Sequence, residues 1–336
     1  MLRHSSDSEP GYTRKRTSRY WAYYDGDKRV TDRATIDRLN SIALPPAYRD
    51  AWFCKDRDGH LQATGIDDRG RKQYRYHPDF RASREEAKFD RLVQFGKALP
   101  RIRRQVDKDL RRRSLNREKV LAGVVRLLDD DFLRVGNREY TKENKSFGAT
   151  TLLSRQVQDD GRKVRMRFKG KSGVEHEVTI TDRTLRRLVR QLHDLPGQAL
   201  FQYINGDGNP HPINSGEVND YIREASGGEF TAKHFRTWGA SVLAFEQLLN
   251  REEAKRISVE TMIEPVAEAL GNTVAISRKA YVHPALIDAV KERPRDPLNG
   301  MDRPRSRKWL SDCEVGLLEF LAVNGRAQRK KAKAAA

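Results

Sequence analysis

The apolar pattern of this 336-residue chain changes its period at Pro78. Before it, from Tyr20 to about His77, short aromatic and aliphatic runs alternate with tight-turn signals. Tyr20-Trp21-Ala22-Tyr23-Tyr24 leads into Asp25-Gly26-Asp27, Ala51–Cys54 and Leu61–Thr64 flank Asp58-Gly59, and Asp67-Asp68-Arg69-Gly70 separates Ile66 from Gln73-Tyr74-Arg75-Tyr76. Runs of this length joined by Asp-Gly turns read as antiparallel strands. One short helix, around Thr35–Asn40, interrupts them.

After Pro78 the spacing is helical. Ala82–Arg113 reads as helices broken at Pro100. Asn116 or Ser114 caps the next, whose apolar face is Val120, Leu121, Val124, Leu127 and Leu128, and Gly136-Asn137 is a good left-handed terminus for it. A short β section follows, with Thr150–Val157, the turn Asp160-Gly161, then Val164, Met166 and Phe168 alternating, and Val174–Ile180 after a turn bracketed by Gly170 and Gly173. Thr181 or Asp182 starts a helix with Leu185, Leu188, Val189 and Leu192 on one face. From Ser215 onward the chain is helical, with breaks at Gly227-Gly228 and Gly271, and Ser311–Leu321 is a last helical candidate. The period change therefore predicts an α+β chain: a small β-rich N-terminal domain, then a larger, mainly helical one with a short β-sheet.

Charge narrows the partner. Lys and Arg number 66 against 47 Asp and Glu, a net of +19. Residues 1–20 hold net +3 and residues 326–336 net +5, which leaves +11 in the foldable body. An excess of that size points to a polyanion, nucleic acid first. No apolar run approaches the ~18 residues of a membrane span, and Met1–Ser6 has no apolar segment of a secretory signal. Cys54 and Cys313 are the only cysteines, too few for a disulfide scaffold or a thiolate-rich metal site. His60, His77, His176, His193, His211 and His234 show no metal-ligand spacing. His283, followed by Pro284, reads as a capping residue, and no Walker-type phosphate loop occurs.

Three segments carry candidate chemistry: Leu133-Arg134-Val135-Gly136-Asn137, Lys233-His234-Phe235-Arg236, and Gly271-Asn272 running on to Lys279-Ala280-Tyr281. Between the first two lies Phe168-Lys169-Gly170-Lys171. Singly, each has an ordinary explanation as a helix-end cation, a hairpin tip or a packing residue. Together, in this order, they resemble the catalytic set of the type IB DNA topoisomerases of the poxvirus-like and bacterial branch, whose catalytic domain is shared with the tyrosine recombinases. The likeness extends to Gly70-Arg71-Lys72-Gln73-Tyr74-Arg75-Tyr76, which looks like the strand that touches DNA bases in small family members.

The resemblance implies a role for each position. Tyr281 matches the nucleophile that forms a 3′-phosphotyrosine. Arg134 and Arg236 match the guanidiniums that hold the non-bridging phosphate oxygens, a task suited to a planar, permanently charged donor fork. Lys171 matches the general acid that protonates the 5′-oxygen, with Lys169 as its rival, and Lys233 supports the site. Asn272 stands where viral and eukaryotic relatives carry His; an amide can donate a hydrogen bond but cannot titrate near neutral pH. Arg71, Lys72, Gln73, Tyr74 and Tyr76 would meet DNA, with Gln73 and Tyr74 as base readers.

The implied activity is relaxation of supercoiled double-stranded DNA without ATP, metal or other cofactor, by a monomer that clamps the duplex in the cytoplasm, on the nucleoid if the source is bacterial. The implied division is a basic disordered tail at 1–19, a β-rich DNA-binding domain at 20–80, a catalytic domain at 81–325 and a basic tail at 326–336. Two rivals remain: a tyrosine recombinase or integrase, which would need a C-terminal exchange helix, and a non-enzymatic DNA-binding protein.

Overall fold

Strand pairing begins earlier than the turn signals suggest. The computed structural model describes residues 2–18, 20–252 and 255–335, the side chains of 85–87 and 325–335 excepted, and the chain divides into Met1–Lys88 and Phe89–Ala336. In the first unit, β1 (Tyr12–Arg16), β2 (Trp21–Asp25) and β3 (Lys28–Arg29) precede α1 (Arg33–Ser41), and β4 (Arg49–Phe53), β5 (Leu61–Ile66) and β6 (Lys72–Tyr76) follow. They form one antiparallel sheet in the order β3-β2-β1-β4-β5-β6. The expectation of a disordered tail at 1–19 is therefore corrected: β1 is an interior strand, with Tyr12 opposite both Asp25 and Phe53. Its charge misleads because tertiary contacts absorb it. The Arg14 guanidinium stacks on Trp21 at 4.3 Å and donates to the Leu44 carbonyl at 2.8 Å. Beneath the sheet Tyr23, Leu39, Leu44, Phe53 and Ala63 make a small core, and the Tyr23 hydroxyl donates to Asn40 Oδ1 of α1 at 2.8 Å.

Helix α2 (Pro78–Leu110) leads into the second unit without the break expected at Pro100. An interior proline costs about 3 kcal/mol. Against it, Phe89, Leu92, Phe95, Leu99, Ile102, Val106 and Leu110 are all buried along one stripe, at roughly 1.5–3 kcal/mol for each large side chain. Packing wins.

Helix α3 (Arg117–Asp130) starts where expected, Asn116 Oδ1 accepting from Lys119 N at 3.1 Å, but ends well short of Gly136. Three consecutive acids, Asp129–Asp131, oppose the negative end of the helix dipole, and Phe132 then takes a left-handed φ of 51° with its ring set against Gly239. Arg134 is thus on an irregular segment between α3 and the next helix rather than at a helix end. That segment is pinned by Ala149 N to the Arg134 carbonyl (2.8 Å) and Thr150 N to the Val135 carbonyl (2.7 Å).

Helix α4 (Arg138–Asn144) follows, and two single turns, Ala149–Thr151 and Ser154–Gln156, replace most of the strand expected at Thr150–Val157. Side chains take over the backbone bonds there: Thr151 Oγ1 accepts from Gly148 N at 2.9 Å and Gln156 Oε1 from Leu153 N at 2.9 Å. A sheet then forms from β7 (Val157–Asp159), β8 (Val164–Lys169) and β9 (Glu175–Ile180), with Val164, Met166 and Phe168 buried as the alternation predicts.

The remaining elements are α5 (Arg183–His193), the hairpin β10 (Gln202–Ile204) and β11 (Pro210–Pro212), α6 (Ser215–Ser226), α7 (Ala232–Leu249), α8 (Val259–Leu270), α9 (Val274–Ala280), α10 (Pro284–Glu292) and α11 (Asp312–Ala335). The basic side chains of 326–336 lie outside the described residues. No helix among those described is long and apolar enough to cross a membrane.

One largely buried cation ties α2, α3, α7 and α11 together. Arg103 donates from Nε and Nη2 to Asp129 (2.7 and 2.8 Å), from Nη1 and Nη2 to Glu314 (2.8 Å each), and from Nη1 to the Trp309 carbonyl (2.7 Å). Glu314 also accepts from Trp238 Nε1 at 2.9 Å. All five donors of the guanidinium are used.

Candidate active site

Helix α7 opens beside Thr231 and turns Phe235, Arg236, Thr237 and Trp238 inward. Arg236 is only 4% exposed. Its guanidinium donates from Nη1 to the Phe132 carbonyl and from Nη2 to the Leu270 carbonyl (3.0 Å), so the exit of α3 and the end of α8 fix its plane. It lies over the Tyr281 ring, 5.2 Å from the centroid. Burial, then the neighbouring charge of Arg134, lowers its pKa to about 10, which leaves it charged at neutral pH.

Gly271 ends α8 in the left-handed conformation, with φ 58°. The turn it makes delivers Asn272, whose backbone N–H bonds the Ala267 carbonyl at 2.9 Å and whose Oδ1 accepts from Arg134 Nη2 at 2.8 Å. Asn272 Nδ2 is buried and has no hydrogen-bond partner among the described residues. Since the oxygen must face the guanidinium, the unused amide hydrogens point elsewhere.

Thr273 caps the short α9, and Tyr281 stands at its C-terminal end. Buried Ser241, on α7, donates to the Tyr281 carbonyl at 3.3 Å and accepts from His283 N at 3.0 Å, which registers the tyrosine against the helix that carries Arg236. Burial alone would raise the Tyr281 pKa. The charges of Arg236 and Arg134, a hydrogen bond from Arg236 and the charge of Lys233 outweigh it and bring the phenol below its ordinary value. Lys233 itself is exposed in the first turn of α7. His283 caps α10 as expected, accepting from Ala285 N at 3.1 Å.

Five of the six catalytic candidates thus gather: Arg134, Lys233, Arg236, Asn272 and Tyr281. Lys171 stands apart, exposed on the β8–β9 turn, with no hydrogen bond or ion pair to the other five among the described residues. Its rival Lys169 is exposed too and stands 4.0 Å from Glu175 across the hairpin. The residues that sequence reasoning missed are Ser241 and His176. The first carries no motif at all. The second, half-buried on β9, was visible only as a histidine without metal spacing.

On β6 the strand alternation sets Lys72, Tyr74 and Tyr76 on the exposed face and Gln73 and Arg75 on the other. Tyr74 (49% exposed) and Tyr76 (40%) stack with centroids 6.1 Å apart. Gln73 donates to Asp67 Oδ2 at 2.9 Å, as does Arg71 Nε. Gln73 and Tyr74, the expected base readers, are successive strand residues whose side chains leave opposite faces, and the Gln73 amide already makes one bond, to Asp67. Lys72 is paired with Asp7.

Residues 77–295 match the family model of the eukaryotic DNA topoisomerase I catalytic core, and residues 20–67 match that of the bacterial DNA topoisomerase IB N-terminal domain. The chain is 32% identical over 285 residues to DNA topoisomerase 1B of Acanthamoeba polyphaga mimivirus, covering 81% of this chain and 84% of that one. It is 24% identical over 280 residues to DNA topoisomerase 1B of Vaccinia virus (strain Copenhagen), covering 78% and 84%. Among solved structures, the XerH site-specific recombinase bound to a palindromic difH substrate matches with a TM-score of 0.36 and 18% identity, over 55% of this chain and 47% of that one.

Proposed function

This chain belongs to the type IB DNA topoisomerase family, and from that membership we propose that it relaxes supercoiled duplex DNA through a covalent bond to Tyr281. The observation that carries the assignment of residues is the convergence on one phenol. Arg236 lies over the Tyr281 ring, Arg134 acts on it by charge, and Arg134 also orients the Asn272 amide.

A phosphodiester resists attack because its non-bridging oxygens are anionic, and charge grows on them in the transition state. Arg134 and Arg236 neutralise that charge with preorganised donors, and Asn272 Nδ2 adds a neutral one. Tyr281 Oη forms a bond to phosphorus as the bond from phosphorus to O5′ breaks, giving a 3′-phosphotyrosine. The leaving oxygen needs a proton, because an alkoxide is a poor leaving group, and Lys171 supplies it from the hairpin. Lys233 adds positive charge at the phenol. The free strand swivels about the intact one, and reversal of the same steps reseals it. The ester conserves the bond energy, so the cycle consumes no ATP and calls for no metal.

The β-rich unit, residues 20–80 in this reading, and the helical unit, 81–325, grip double-stranded DNA as a clamp, and a monomer suffices. Tyr74, Tyr76 and Lys72 on the exposed face of β6 meet the duplex. Arg71 and Gln73, hydrogen-bonded to Asp67, brace that strand. The enzyme works wherever chromosomal DNA lies, the nucleoid in a bacterial cytoplasm.

The test is plasmid relaxation in EDTA without ATP, wild type beside Tyr281→Phe. Wild type should relax both positive and negative supercoils and leave an SDS-trapped covalent adduct. The variant should do neither while still binding duplex DNA. Relaxation retained by Tyr281→Phe would overturn the assignment.

A further inference from the structure

Two glycines far apart in sequence close on the same imidazole. A methyl group on Gly170 would stand 2.6 Å from both Cδ2 and Nε2 of His176, and one on Gly271 would stand 2.9 Å from Cε1 and 3.4 Å from Nε2. Contacts under 3.0 Å cannot be accommodated without movement, so each glycine is where a ring edge meets bare backbone. The ring also stacks on Phe168, with centroids 5.3 Å apart and planes 16° from parallel. His176 therefore sits on three supports: the β8 strand through Phe168, the hairpin turn through Gly170, and the end of α8 through Gly271.

The chain neighbours of the two glycines give the contact its meaning. Gly170 immediately precedes Lys171, and Gly271 immediately precedes Asn272. The turn is closed by backbone bonds from Gly170 N to the Val174 carbonyl (2.7 Å) and from Gly173 N to the Gly170 carbonyl (3.1 Å), while Lys171, Ser172 and Gly173 are exposed and the last two have positive φ. An exposed lysine on such a turn loses side-chain and backbone freedom whenever it must act at one point, a cost that a half-buried ring at the base of the turn can reduce in advance. Burial, then the charges of Arg134 and Arg236, keep the His176 pKa below its ordinary value, so the ring lies between the turn and the arginines as a neutral body.

We propose that His176 is a positioning residue that seats the Lys171 turn against the Gly271–Asn272 corner, so that the Lys171 ammonium meets the 5′-oxygen as it departs. The proposal rests on the reading of Lys171 as general acid. In that step the Tyr281 Oη–P bond forms, the P–O5′ bond breaks, and one proton passes from Lys171 Nζ to O5′. If sulfur replaces the bridging O5′, a thiolate leaves without needing that proton, and Lys171 and everything acting through it become dispensable.

The experiment measures single-turnover covalent adduct formation on a duplex carrying one cleavage site mapped with the wild-type enzyme. The site is made with either oxygen or sulfur at the bridging position. Lys171→Ala, His176→Ala, Gly170→Ala and the double variant Gly170→Ala/His176→Ala are compared with wild type. On oxygen, His176→Ala should be slower by about 10²-fold, a general-acid-sized loss. On sulfur it should return to near the wild-type rate, which also reports that the arginine–tyrosine centre is folded. Gly170→Ala should show the same pattern. The double variant should be no slower than His176→Ala, because removal of the ring makes room for the methyl group.

Lys171→Ala left unrescued by sulfur would sink the general-acid reading and the proposal with it. Lys171→Ala rescued, with His176→Ala equally slow on both substrates, would leave that reading standing and overturn the role of His176. An unimpaired His176→Ala on oxygen would overturn it too.

Discussion

Arg134 Nη2 donates to Asn272 Oδ1 at 2.8 Å, and this single bond decides which way the amide points. Its buried Nδ2 has no hydrogen-bond partner among the described residues, and the proposed mechanism gives it a non-bridging phosphate oxygen. Asn272→Asp would keep the acceptor for Arg134, remove the donor and add a negative charge beside an anionic phosphate. Cleavage should fall by at least about 10²–10³-fold, the usual cost of a lost oxyanion donor. Asn272→His, which restores an N–H, should retain most of the rate. Covalent adduct formation under single turnover distinguishes them.

Tyr281 should ionise below the ordinary phenol value, because cations outweigh burial around it. Cleavage should therefore rise with pH through a midpoint below that of a free phenol. Lys233→Ala, which removes one of those cations from the surface, should move the midpoint upward. The difference ultraviolet titration of wild type against Tyr281→Phe isolates this one phenolate. A midpoint at or above the free-phenol value would contradict the electrostatic account.

The Arg103 network makes a stability prediction with a sign in pH. Arg103→Met strands the buried carboxylates of Asp129 and Glu314, at a cost of about 3–5 kcal/mol in the urea midpoint analysis. In the wild type, burial pushes the Glu314 pKa up, but hydrogen bonds and charge from Arg103 hold it below its ordinary value. Stability from this pair is thus fully present above the unfolded carboxyl pKa and is lost as pH falls through the lower folded one. The gap between wild type and Arg103→Met should narrow over that acid window.

On the exposed face of β6, which the proposal sets against the duplex, Lys72 is held by Asp7. Lys72→Ala should weaken duplex binding uniformly across sequences and lessen the salt slope by about 0.9. Asp7→Asn frees the ammonium and should tighten binding. Tyr74→Ala should cost more affinity than Gln73→Ala, since the Gln73 amide is occupied by Asp67. Filter binding over a salt series reads all four variants.

What could be read in the sequence was local. The change of period at Pro78, helix starts at Asn116 or Ser114 and at Thr181 or Asp182, the break at Gly271 and the alternation of Val164, Met166 and Phe168 need only neighbours a few positions away. The order of Arg134, Lys171, Arg236, Asn272 and Tyr281 was legible for the same reason, as short motifs rather than as a site. Contacts across long sequence separations stayed hidden. Arg14 looked like part of a soluble tail because nothing nearby in sequence reveals the Leu44 carbonyl or the Trp21 ring as its partners. Pro100 looked like a break because the stripe that overrides it is a tertiary quantity. His176 carried no signal because its meaning lies in two remote glycines.

Arg103 has one more implication, for concentration rather than for strength. Its five donors fasten Glu314 of the last helix, and the Trp309 carbonyl just before it, to α2 and α3 of the same chain. For the proposed monomer, turnover per molecule is then expected to be indifferent to dilution, and two such chains on one DNA would work side by side as strangers.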